Sequence, residues 1–162
     1  MPMRPAALSV LVLGTMFVGG TGWAEPLARA ESVTLSPGRA DVRLGEGALG
    51  TRLKTVGPNR RLFLQLQSLK AEQSPGVTYN VYLNLPDGRA PQGVADPHYL
   101  GTFSFFDTEG RSRSLEIDVT GKLRRLAADG KIGADATITI VPAGQPSADA
   151  RPRIGAIAIT AR

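Results

Sequence analysis

The chain of 162 residues contains no cysteine, and His98 is its only histidine. The first absence excludes disulfides, zinc–thiolate sites, iron–sulfur clusters and thiol catalysis. The second excludes any site built on several imidazoles and leaves a single ring for acid–base work. Methionine occurs only at Met1, Met3 and Met16, so there is no copper-carrying methionine tract. Aromatic residues make up 6% of the chain, and no basic run interleaves with them as a nucleic-acid surface requires. The net charge of +5 is modest, and acidic and basic residues are interspersed, which describes a solvated mixed surface. Hydrophobic residues reach 42%, enough for a core, and the length suits one domain. An exported chain without disulfides rests on that core alone.

A long hydrophobic run is also missing. The apolar stretch from Ala6 to Gly20 is interrupted at Gly14, Gly19 and Gly20, and a membrane span needs about 20 apolar residues. Arg4 precedes this stretch, and the small residues Gly22 and Ala24 follow it. That is the order of a secretory signal peptide, residues 1–24, with cleavage expected after Ala24. Ala28-Arg29-Ala30 offers a second cleavage site. No cysteine follows the run and Arg4 stands alone, which excludes a lipid anchor and a twin-arginine signal. The expectation is export to the periplasm or the medium, with no membrane anchor after cleavage.

Short alternating segments dominate the remainder. Residues 25–59 read as an N-terminal extension: a loose leader Glu25–Glu31, strands at Ser32–Leu35 and Asp41–Leu44, and a third at Leu49–Val56 closed by Gly57-Pro58. The pattern is stronger over residues 60–162. Arg61–Leu69 alternates around Leu62, Leu64 and Leu66, with a bulge expected near Ser68 where the phase breaks. Thr78–Leu85 places Tyr79, Val81, Leu83 and Leu85 on one face. After the proline-stiffened loop Arg89–Pro97 comes the aromatic strand His98–Phe106, with Tyr99, Gly101, Phe103 and Phe105 sharing a face. Leu115, Ile117 and Val119 mark another strand. Thr120 is placed to cap a short helix carrying Leu123, Leu126 and Ala127, and Gly130 to close it. Ala136–Val141 and Ile154–Thr160 finish the series. Many short strands with one short helix point to an all-β antiparallel sandwich or jelly roll. A βαβ arrangement fails, because helices do not alternate with strands.

No catalytic constellation assembles. His98 has Asp96 two residues before it, but no Gly-x-Ser-x-Gly elbow accompanies them. Glu116 and Asp118 fall on the polar face of their strand and read as surface charge rather than a glycosidase pair. Asp107 and Glu109 are too few for a calcium loop. No cofactor or metal is expected, and the chain reads as a non-enzyme. Tyr79, Phe103 and Phe105 read as core. His98, Tyr82 and Phe106 are either a docking patch or core of a second sheet, with burial the better reading.

Four blocks in order carry a family resemblance over residues 60 to 161. They are Tyr79-Asn80-Val81-Tyr82-Leu83-Asn84-Leu85-Pro86, His98 to Phe106, the helix Val119 to Leu126, and Ala136 to Pro142 followed by Ile154-Gly155-Ala156-Ile157-Ala158-Ile159. Together these resemble the C-terminal domain of tyrosinases and polyphenol oxidases. The resemblance implies a jelly-roll sandwich that packs over a dicopper entrance, shields it and is not itself catalytic. The lysine and phenylalanine that open the family's first strand block are absent, and so is the copper domain. What carries over is an accessory or shielding role on a separate type-3 copper oxidase. A free-standing binding module for a glycan or an envelope component is the alternative. The segment between the two aromatic strands lies near the copper-domain interface in the resembling proteins, which makes Arg89, Pro97, His98 and Tyr99 the candidate partner contacts. Alternation turns Tyr99 toward the core and leaves His98 the better exposed of the pair.

Overall fold

The computed structural model of the protein describes residues 25–45 and 49–162. The expected signal peptide lies outside the described residues. Eight strands form two four-stranded antiparallel sheets: β1 (Pro26–Thr34), β2 (Ala40–Arg43), β3 (Leu62–Leu69), β4 (Thr78–Leu83), β5 (Tyr99–Ser104), β6 (Arg113–Asp118), β7 (Thr137–Pro142) and β8 (Arg153–Ala161). One sheet runs β1-β8-β3-β6 and the other β2-β7-β4-β5. Consecutive strands cross between the sheets except β4 and β5, which pair within one, giving the two-Greek-key order of a jelly roll. Leu62, Leu64 and Leu66 of β3, with Ile157 and Ile159 of the neighbouring β8, face Val81, Leu83, Ile138 and Ile140 of the other sheet across the interior, all nearly inaccessible to water. Each such side chain contributes ~2 kcal/mol of transfer free energy.

Several expectations change. Glu25–Glu31 is not a loose leader: β1 begins at Pro26 and pairs along β8 from Pro26↔Thr160 to Thr34↔Arg153. β2 pairs with β7, so residues 25–59 supply one strand to each sheet. Leu49–Val56 is not a strand but helix α1 (Leu49–Thr55). Its apolar residues Leu49, Leu53 and Val56 recur at helical spacing, and they turn that one side onto the core. A second helix, α2 (Thr120–Ala128), lies where the single helix was expected.

Thr120 does not cap α2. Its hydroxyl donates to Asp118 Oδ1 (2.6 Å) and accepts the amide of Leu62 (2.8 Å), while Asp118 Oδ1 also takes the Thr120 amide. These bonds hold the Asp118 carboxyl below its ordinary value. Gly130 closes the helix at φ 66°, as its position suggests. The bulge near Ser68 is present: Ser68 has φ 54° and the β3–β6 register shifts between Leu66 and Leu69.

The β2–β3, β4–β5 and β6–β7 connections gather at one end of the sandwich. Lys122 Nζ donates to the Leu100 carbonyl (2.7 Å), and Asn84 Nδ2 to that of Lys131 (3.1 Å). Gly50 of α1 lies against the Gly133 carbonyl.

Candidate functional site

The loop between β4 and β5 is built around one carboxylate. The side chain of Asp96 is wholly inaccessible to solvent. Its Oδ2 accepts from Arg89 Nη2 (3.0 Å) and from the Gln92 amide (3.0 Å), and its Oδ1 from the His98 amide (2.9 Å). Burial alone pushes this carboxyl up. The two amides and the Arg89 guanidinium outweigh it and hold the group below the usual carboxylate range. Arg39 Nη1 donates to the Arg89 carbonyl (3.2 Å) and ties the loop to the start of β2. A 3-10 turn at Gly93–Ala95 sits in the middle, entered through Gly93 at φ 65°. Val94 on this turn is 71% exposed, the most exposed large hydrophobic residue among those described. The loop is therefore a fixed mount that presents one aliphatic side chain to solvent.

Beside it lies the outer face of the second sheet. Asp41, Thr139, Tyr82 and Tyr99 form one row across its four strands. Asp41 is gripped by Arg39 Nε and by the Thr139 hydroxyl (2.6 Å), which hold its carboxyl low against the upward push of burial. Tyr82 is buried under the loop, and burial raises its phenol pKa. Tyr99 packs edge-on to Tyr82 at 5.9 Å, and Lys122 Nζ lies 4.5 Å from its ring centroid. The Tyr99 hydroxyl meets Thr102 Oγ1 (2.7 Å), which donates to Asn80 Oδ1 (2.6 Å).

The four candidate contacts fall in one neighbourhood but play different parts. Arg89 is an anchor, and Pro97 is exposed at the loop's exit. The expected order of His98 and Tyr99 is reversed. His98 is 5% exposed and its Nδ1 is 2.8 Å from the Leu83 carbonyl, so it joins β4 to β5 rather than facing solvent. Tyr99 is half-buried on the outer face. The cause is a register slip: Val81 pairs with Gly101 but Tyr82 pairs with Tyr99, so the extra residue Leu100 turns into the core. Tyr79, Phe103 and Phe105 form the interior aromatic cluster as expected, while Phe106 is 47% exposed. Val94 carried no signal in the sequence, and Asp96 stood out there only as a possible partner of His98. A signal for the role of Asp96 was there: an acidic residue between two prolines, followed three positions on by a strand start, is an Asx-type turn builder.

Among the described residues no group of three or more histidine, aspartate or glutamate side chains is placed to hold a metal ion. No helix among them is long and apolar enough to cross a membrane.

The described residues form a jelly-roll sandwich in which a loop built on a buried carboxylate projects one aliphatic side chain. Solved structures of latent aurone synthase, a polyphenol oxidase, share this fold. The recombinant enzyme with hexatungstotellurate(VI) aligns at a TM-score of 0.54 and 20% identity, covering 80% of this chain and 25% of that one. The enzyme from its natural source aligns at 0.53 and 18% identity, covering 87% of this chain and 26% of that one. The chain thus spans about a quarter of the length of these structures. No curated protein matches it. Residues 28–162 match the family described as a domain of unknown function, DUF7868, and the chain belongs to that family.

Proposed function

We propose that this protein is a non-catalytic, exported accessory module that docks on a separate type-3 copper oxidase through the loop 89–97, with Val94 leading. The observation that carries this reading is the Asp96 mount. A carboxylate buried at the cost of desolvation, bound by three donors, holds an exposed valine in one position. That arrangement lowers the ordering cost of docking an aliphatic side chain into a partner's pocket. The shared fold with part of a latent polyphenol oxidase supports the choice of partner.

Export rests on the signal-like order of residues 1–24. The start of β1 supports cleavage after Ala24 over cleavage after Ala30, since the latter would remove Pro26 to Ala30 from a strand paired to β8. The glycan alternative has less support, because Tyr82 is buried and Lys122 covers the face of Tyr99. The test is co-purification of the tagged protein, as wild type and as Val94→Asp, from the exported fraction of the producing cells. Captured catechol-oxidase activity and copper should follow the wild-type bait and be lost with the variant. An exported fraction that yields glycan polymer instead of oxidase would replace this reading with the alternative.

A further inference from the structure

Away from the loop, α1 and α2 leave between them a cleft of about 270 Å3. Its floor is Leu62 and Leu123, both fully buried. Leu53, Val56 and Ile132, which the core covers only in part, form its walls. Gly50 fixes its width: a Cβ there would stand 2.7 Å from the Gly133 carbonyl oxygen, so α1 is held against the 132–133 segment by backbone contact.

The rim is charged with one sign. Lys54 and Arg124 line the cleft and no carboxylate does. Neither cation forms an ion pair among the described residues. Arg124 uses Nη2 on the carbonyls of Gly57 (3.1 Å) and Arg60 (2.9 Å), which orients its guanidinium and leaves its other donors available. An apolar trough with two cations at its lip, one of them oriented by backbone carbonyls, is complementary to one kind of small molecule.

We infer that this cleft binds an amphipathic carboxylate, with an unbranched alkyl body in the trough and its head between Lys54 and Arg124. The size sets the chain length. An apolar cavity of roughly 150 Å3 takes one benzene, so this one takes an alkyl body of about eight to ten carbons. The sign of the rim sets the head group: a cationic head is repelled, and an uncharged one leaves both cations facing an apolar guest without a counter-charge. This inference stands apart from the docking loop and does not depend on it.

The experiment titrates the isotopically labelled protein with hexanoate, octanoate and decanoate below their micelle-forming concentrations, and with decanol and decyltrimethylammonium. The readouts are the methyl resonances of Leu53, Val56, Leu123 and Ile132, and calorimetry. Affinity should rise about fourfold per added methylene until the trough is full. Lys54→Gln should weaken decanoate by about threefold to fivefold, the weight of a partly exposed ion pair, with no change in melting temperature. Ala127→Phe, which fills the trough from its open side, should abolish binding while the fold persists. Equal affinity for decanol or the ammonium amphiphile overturns the inference. So does the absence of a saturable shift, or retained binding in a folded Ala127→Phe protein.

Discussion

Replacing Asp96 with alanine strips three donors of their acceptor at once. The His98 amide is buried and has no second partner in reach, which costs about 1–3 kcal/mol by itself. The Gln92 amide and the one-third-exposed Arg89 guanidinium can recover water, so their share is discounted. The expected total is about 2–3 kcal/mol. That corresponds to roughly 7–12 °C in melting temperature for a domain of this size. Asp96→Asn keeps the shape but offers one acceptor where two faces need one, and should cost about 1–2 kcal/mol. The pH dependence separates charge from shape. The folded state holds Asp96 ionised more firmly than the unfolded chain does, so its contribution is fully present above about pH 4. It drains away as pH falls through the lower folded value. Urea titrations of wild type, Asp96→Ala and Asp96→Asn from pH 7 down to pH 2.5 read both effects. A loss below about 0.5 kcal/mol for the alanine variant would refute the mount, as would an acid limb in Asp96→Asn as steep as in wild type.

Further expectations concern single residues. Val94→Asp should leave the urea midpoint within about 0.5 kcal/mol of wild type, because the side chain touches solvent and little else; a large loss would make Val94 a packing residue. Tyr79→Phe should be neutral or stabilising by calorimetry, since the buried Tyr79 hydroxyl has no hydrogen-bond partner among the described residues and burial raises its pKa. Gly50→Ala should cost about 1–3 kcal/mol, because the Gly133 carbonyl oxygen cannot yield as a flexible side chain would. An unchanged midpoint would show that α1 moves freely. His98→Ala should lower stability by about 1–3 kcal/mol through loss of the bond to the Leu83 carbonyl and the volume behind it; an effect on partner binding alone would return His98 to the surface.

The interior was legible wherever alternation was clean. Leu62 to Leu66, Tyr79 to Leu83 and Ile138 to Ile140 each have period two and lie where that period places them. The helix α1 was also written in the sequence, in the spacing of Leu49, Leu53 and Val56, but its β-like neighbours and the flanking glycines disguised it. Ser32 to Thr34 read as strand from the sequence, but the first part of β1, Pro26 to Glu31, was not legible from its own residues. Leu27, Ala28 and Ala30 are weak strand formers, and it is the pairing with the isoleucine-rich β8 that makes them one. The relative exposure of His98 and Tyr99 turned on one residue. The extra Leu100 inverts the phase of β5 before Gly101, and no local composition marks that slip, because it is set by the partner strand. Once the phase is inverted, His98 and Tyr99 exchange roles.

The central claim is docking through a preformed loop onto a copper oxidase, and capture from the exported fraction tests it most directly. Wild-type protein, Val94→Asp and Asp96→Asn serve as baits in parallel, and eluates are assayed for copper and for catechol oxidation. A copper-containing oxidase should elute with the wild type, far less with Asp96→Asn, and none with Val94→Asp despite its intact fold. An oxidase retained equally by all three baits, or none retained by the wild type, would contradict the docking claim.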